Sequence, residues 1–115
     1  MTLIESIIID YLAQELSLPV SGLVPSPMPE KFVTVEKTGS STEDKVRRAT
    51  LAIDSWADSQ EAAALLNEQV ITAMYAATSL AQISEVQCET DYNFTDTKTR
   101  KARYSAMFGV VYFDD

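Results

Sequence analysis

DSQEAAALLNEQVITAMYAATSL, residues Asp58 to Leu80, places apolar side chains at Ala62, Leu65, Leu66, Val70, Ala73, Met74, Ala77 and Leu80. That three-then-four spacing lines up one face of an α-helix. Gln60, Glu61, Asn67, Glu68 and Thr72 take the other face. Asp58 is the expected N-cap, its carboxylate accepting from the exposed N–H groups of the first turn, and Glu61 completes a capping box. A helix of this length extends roughly 30 Å at 1.5 Å per residue, enough to lie across a small sheet and cover it.

The flanking segments read as the strands of that sheet. Val46 to Trp56 alternates Leu51, Ile53 and Ser55 against Ala52, Asp54 and Trp56, and Phe32 to Lys37 sets Val33 and Val35 against Thr34 and Glu36. Between them Thr38 to Lys45 is Gly, Ser, Thr and acid, which predicts a mobile loop too long for a tight turn. The pair then forms a long β-hairpin with Lys45, Arg47 and Arg48 at its tip. Beyond the helix, Ile83 to Asp91 alternates Val86, Cys88 and Thr90 with Glu85, Gln87, Glu89 and Asp91, a strand with a row of acids on its outer face. Asn93 to Lys101 reads as a polar turn region. Tyr104 to Phe113 is the last strand, with Tyr104, Ala106, Phe108, Val110 and Tyr112 on one side and Ser105, Met107, Gly109, Val111 and Phe113 on the other. Apolar groups on both faces place it inside the sheet or beneath a partner.

Thr2 to Leu16 carries Leu3, Ile4, Ile7, Ile8, Tyr11, Leu12 and Leu16 on one helical face, with Thr2 as the expected N-cap and Glu5 at the capping-box position. Pro19 ends this helix, Val20 to Val24 is a short extended piece interrupted by Gly22, and Pro25, Pro27 and Pro29 make a rigid connector. The order predicts an α+β two-layer sandwich: a mainly antiparallel four-stranded sheet, two helices packed on one face and a long β-hairpin loop, all within one domain over residues 1–115. Its second sheet face is left open, with Met107, Val111 and Phe113 available there.

A chain of 115 residues, 46% hydrophobic, can bury about two thirds of its unfolded surface without a staple. Cys88 is the single cysteine and histidine is absent, so neither an intrachain disulfide nor a zinc-type ligand set is expected, and no metal or cofactor. No apolar run approaches the roughly 18 residues of a membrane span, and Met1 to Asp10 carries acids in place of the basic start of a signal peptide. These features predict a soluble protein folded in a cytoplasm, without membrane partners.

The net charge is −8, yet seven of the nine bases fall in two stretches, Lys45, Arg47 and Arg48, then Lys98, Arg100, Lys101 and Arg103. An acidic body argues against sequence-specific or general nucleic-acid binding, which needs a broad basic face. Two basic patches on an acidic body suit self-association, one subunit's positive patch meeting its neighbour's negative one. Catalytic chemistry is sparse: the usual base and nucleophile pairings are absent, Gly22, Gly39 and Gly109 stand too far apart for a phosphate cradle, and pairs such as Asp54 with Asp58 or Glu85 with Glu89 read as solvated charge. The chain reads as non-enzymatic. Trp56 and the Tyr104, Phe108, Tyr112 stripe read as core.

Phe32-Val33-Thr34-Val35-Glu36-Lys37-Thr38-Gly39, then Arg48-Ala49-Thr50-Leu51, then Ser55-Trp56-Ala57-Asp58-Ser59 leading into an alanine-rich helix, resembles small tail-completion proteins of tailed bacteriophages and prophages. Tyr92-Asn93-Phe94-Thr95-Asp96 followed by Arg103-Tyr104 resembles that group's closing turn and last strand, with Thr95 and Thr97 where other members carry proline. The resemblance implies a tail terminator or head-to-tail joining protein of the virion neck, assembled in the bacterial cytoplasm. It implies a ring, commonly of six subunits, that caps the last ring of the tail tube and offers a docking surface to the head-tail connector. The expected subunit or tail-tube contacts are Lys45, Arg47, Arg48, Lys98, Arg100, Lys101 and Arg103. Alternatives are a head-side neck adaptor or head-closure protein, and an acidic DNA mimic that inhibits a nucleic-acid enzyme.

Overall fold

The computed structural model describes residues 3–95 and 101–113. Strand β3 (Val46–Ala57) keeps one face apolar over much of its length, and strand β2 (Phe32–Glu43) does so only over its first half. Strands β4 (Ile83–Asn93) and β5 (Ala102–Phe113) follow the same rule, and β1 is the two-residue strand Val20–Ser21. The sheet order is β1-β2-β3-β5-β4. Every pairing is antiparallel except β1 on β2, which is parallel through Val20 beside Val33 and Ser21 beside Thr34.

The sheet is therefore five-stranded and mixed, where four mainly antiparallel strands were expected. The extended piece after Pro19 does join it, but only for two residues, because Gly22 and the prolines beyond cannot sustain a ladder.

Helix α1 (Ile4–Leu16) and helix α2 (Gln60–Ala76) cover one face, and a 3₁₀ turn, Ala77–Ser79, follows α2. Ile4, Ile8 and Leu12 of α1 and Leu66, Val70, Ala73 and Met74 of α2 join Val35, Leu51, Ile53, Phe108 and Val110 of the sheet in one core. Tyr11 ties the helices together, its hydroxyl donating to the Ala73 carbonyl at 2.6 Å.

The helix termini differ from expectation. Ser59, not Asp58, caps α2, its hydroxyl accepting from the Ala62 N–H at 3.1 Å. The Asp58 carboxylate is drawn instead to Lys101. Leu3 stands at the N-cap of α1 without a side-chain bond, and the expected cap Thr2 lies outside the described residues. The buried face of α2 is also rotated: Leu65 is 61% exposed, whereas Asn67, expected outside, is buried. Ala63, Ala57 and Ala102 form a small cluster at the start of α2, and these short side chains let the helix approach the sheet closely there. One turn on, that approach carries Asn67 inward.

The expected loop over Thr38 to Lys45 is strand for most of its length. β2 runs to Glu43, which pairs with Val46, and the turn is only Asp44 and Lys45. Both have positive φ, 51° and 68°, the conformation of a two-residue hairpin whose twist matches its strands. The ladder shifts register between Lys37 and Gly39, and there the Thr38 hydroxyl donates to the Thr50 carbonyl. The tip is flanked by β5, since Val46 also pairs with Phe113. A polar strand persists here because its ladder with β3 resumes after the shift and runs from Gly39 to Glu43, and the end of the sheet needs no apolar cover. The molecule is elongated, 44 × 23 × 23 Å.

Candidate interaction surface

The sheet face turned away from the helices is the chemically varied part of the molecule. Pairing registers put Phe32, Thr34 and Glu36 of β2, Asp54 and Trp56 of β3, and Arg103 and Ser105 of β5 together at one end of that face. The last strand was assigned the right alternation: Tyr112, Val110, Phe108 and Ala106 are buried on the helix side, while Met107 and Val111 are half-buried on the other face and Phe113 is exposed.

A continuous stack organises the first end. Phe32 lies parallel to Trp56 with centroids 5.3 Å apart, and the Arg103 guanidinium lies over both Trp56 and Phe94, at 4.6 and 4.1 Å from the centroids. Tyr92 meets Phe94 edge-on. Trp56 donates its indole N–H to the Thr34 hydroxyl, and Arg103 donates from Nε to the Phe94 carbonyl at 3.1 Å. Arg103 also pairs with Asp54, Nη1 to Oδ2 at 3.4 Å. Burial raises the Asp54 carboxyl above its ordinary range; the Ser105 side chain and Arg103 pull it part of the way back, and Glu36 adds to the rise.

Beside this stack, Gly22, Leu23 and Val24 of the connector overhang the sheet. With Thr34, Glu36, Ala52, Asp54, Trp56 and Arg103 they enclose an open recess of about 350 Å³. Leu23 is 83% exposed and Val24 is exposed too, so the recess joins apolar side chains to the Glu36 carboxylate and the Asp54–Arg103 pair.

The opposite end of the face is different. Gly39 and Gly109 both pair with Thr50, which leaves a floor without large side chains in the middle of the sheet. A trough of about 440 Å³ lies there, lined among others by Arg48, Glu85, Gln87 and Glu89. The Glu89 carboxylate reaches across Gly109, so that a Cβ added at that glycine would stand 2.7 Å from Oε1. Beyond the trough, Glu43, Asp44 and Lys45 at the turn and Phe113 at the end of β5 are exposed.

The seven expected contact residues separate on inspection. Lys45 and Arg48 are exposed at the hairpin end, as an interaction patch requires. Arg47 is half-buried on the helix side, its guanidinium 5.7 Å from the centroid of the Tyr112 ring, so it serves the fold at least as much as any surface. Lys101 is buried and donates to the Glu30 carbonyl at 2.9 Å while pairing with Asp58. Arg103 is held in the stack. Lys98 and Arg100 lie outside the described residues. Sequence reasoning missed Leu23, Val24, Glu36 and Asp54 as a surface; the one available signal was an apolar pair just before a proline-rich connector.

Cys88 is a free, half-buried thiol that burial pushes up, with Asp91, Glu68 and Glu89 adding to the rise and the Thr90 backbone opposing it. Among the described residues no group of three or more His, Cys, Asp or Glu is placed to hold a metal ion, and no helix is long and apolar enough to cross a membrane. No protein-family model matches the chain, and no curated protein matches it significantly.

Proposed function

We propose that the protein is a non-enzymatic structural component of a phage or prophage virion, a tail terminator whose subunits join in a ring, commonly hexameric in such proteins, on the end of the tail tube. The ring stops further addition of tube protein and presents a new surface to the head-tail connector. The observation that carries this reading is the uncovered sheet face with unlike ends. One end carries Lys45 and Arg48 among the acids Glu43, Asp44, Glu85 and Glu89, with Phe113 exposed beside them, and the other carries Glu36 and the Asp54–Arg103 pair under the exposed Leu23 and Val24. A closed ring of more than two subunits needs two different surfaces on each subunit, because it is built from heterologous contacts whose rotation closes. The likeness of the Phe32–Gly39, Arg48–Leu51 and Ser55–Ser59 segments to tail-completion proteins supplies the biological setting.

The test is addition of purified protein to growing tail tubes, followed by negative-stain imaging and measurement of tube length. Defined tube length with a ring of density at the end supports the proposal. Tubes of unrestricted length and no bound protein would overturn it, and binding to filled heads alone would move the protein to the head side of the neck.

A further inference from the structure

The two edges of the sheet are treated differently. β4 is one outer strand, and it is guarded. Its ladder with β5 shifts twice, the Tyr75 hydroxyl accepts from the Cys88 N–H at 3.0 Å, and Glu85, Glu89 and Asp91 line it with charge. The other edge is that of β2. β1 uses only its start, beside Val33 and Thr34, so from Lys37 to Glu43 no strand among the described residues lies outside it. Thr38 to Thr42 carry neither charge nor proline, every residue from Thr38 to Glu43 is exposed, and the ladder shift of β2 falls at the Lys37 end. The closing pair of a two-residue hairpin exchanges both of its hydrogen bonds, so Glu43, Ser41 and Gly39 turn their N–H and C=O groups toward β3, and Thr42 and Ser40 turn theirs outward.

We infer that the Lys37–Glu43 edge of β2 pairs with the same edge of a second copy, antiparallel about a two-fold axis at Ser40, so that one sheet runs through both subunits. The run is its own complement: a cation at one end, an anion at the other and small neutral residues between. In an antiparallel pair, outward-facing residues oppose one another, and axes at Ser40 or Ser41 use most of this run. An axis at Ser40 sets Ser40 opposite Ser40, Gly39 opposite Ser41, Thr38 opposite Thr42 and Lys37 opposite Glu43, which puts an opposite-charge pair at each end. The turn residues Asp44 and Lys45 stand together just beyond that pair, level with Glu36. An axis at Ser41 would instead bring Lys37 level with Lys45. The β4 edge of another copy is a poorer partner, because it would bring its acids to Glu43 and its outward Cys88 amide is already bonded. A two-fold pairing joins two subunits and stops, so this contact goes beyond the ring reading, which needs heterologous surfaces, and does not depend on it.

Amide exchange and charge exchange test it. In the intact chain the Ser40 and Thr42 N–H groups should exchange with deuterium more slowly as concentration rises to about 1 mM, in step with a mass moving from monomer to dimer in sedimentation. Ser40→Pro removes an outward donor and no bond to β3, so it should abolish the dimer and keep the hairpin. Lys37→Glu and Glu43→Lys, each alone, should weaken dimer formation at least about tenfold, because each creates like-charge pairs at both ends. The double variant Lys37→Glu/Glu43→Lys, and an equimolar mixture of the two single variants, should restore it. Circular dichroism and the thermal midpoint show whether each variant keeps the fold. A monomer at every concentration, a dimer whose Ser40 and Thr42 amides stay unprotected, or single variants that pair as tightly as wild type would each overturn the contact. Edge amides protected only when a different protein is added would overturn it too, and would assign the edge to a foreign strand. Tail-tube capping is scored separately: a chain that dimerises through this edge and ignores tubes keeps the contact and loses the terminator function.

Discussion

The Arg103 guanidinium lies 4.6 Å from the centroid of the Trp56 ring, with Trp56 paired across β3 to Phe32 on one neighbouring strand and to Arg103 on the other, in a run of aromatic and cationic groups. An arginine in that position is a flat element of the packing as well as a charge. Its second ring contact, with Phe94, and its pairing with Asp54 fix the plane. Lysine offers a point charge with no plane to stack. Arg103→Lys should therefore lower stability by about 1–2 kcal/mol. Trp56 is the only tryptophan, so its fluorescence during urea unfolding reports both the stability and the local change.

Asp54 predicts a pH signature. Its carboxyl is raised above the ordinary 3.8 mainly by burial, so the folded state holds the proton more tightly than the unfolded one. Its stabilising contribution is full below 3.8 and is lost as pH rises through the raised value. At neutral pH the ionised group is a net cost to folding, despite Arg103. Asp54→Asn should be at least as stable as wild type at pH 7, and the difference should shrink as pH falls through that window. Unfolding midpoints of both proteins across the acid range check this; a variant weaker than wild type at pH 7 would contradict it.

Lys45 holds φ at 68°, a region that costs a non-glycine residue about 1–2 kcal/mol. Lys45→Gly should raise the stability of the subunit by about 1 kcal/mol, measured by chemical denaturation.

Tyr11 joins α1 to α2 through its 2.6 Å bond to the Ala73 carbonyl. Tyr11→Phe should cost about 1 kcal/mol, the net value of one such bond, and should leave the concentration dependence of assembly unchanged. Leu12→Ala, at a fully buried site of the same helix, should cost about 2–5 kcal/mol through the cavity it opens.

Gly109 has a different constraint. Its φ is not positive, and the obstacle to a Cβ there is the end of the Glu89 side chain on an open face. A flexible carboxylate can swing aside, so Gly109→Ala should change stability by less than about 1 kcal/mol. A larger loss on thermal unfolding would show that Glu89 is held rigidly over the strand.

Periodicity made much of the fold legible. The alternation in β3 and β5 identified which residues point toward the helices, down to Phe113 on the outer side, because a period of two is a local property that burial only has to select. The run Thr38 to Lys45 misled for an equally local reason. Gly, Ser and Thr read as loop, yet a ladder with β3 costs those residues little, and a positive-φ pair at Asp44 and Lys45 makes the tight turn. Ser59 replaced Asp58 as the cap for a reason outside the helix, since the Asp58 carboxylate has a partner on the approach to β5.

The amino-acid order determined the two helices, the alternation of β3 and β5 and the clustering of bases, all of which depend on neighbours within a turn or a strand. Folding decided which of those bases are available. Lys101 meets Glu30 and Asp58 across 71 and 43 residues, and Arg103 meets Asp54 across 49, so two cations that look like a surface patch become parts of the structure. The recess likewise exists only once the connector at Leu23 and Val24 lies over strands paired from distant segments. Charge is written locally, but its partner is set by what the sheet brings within reach.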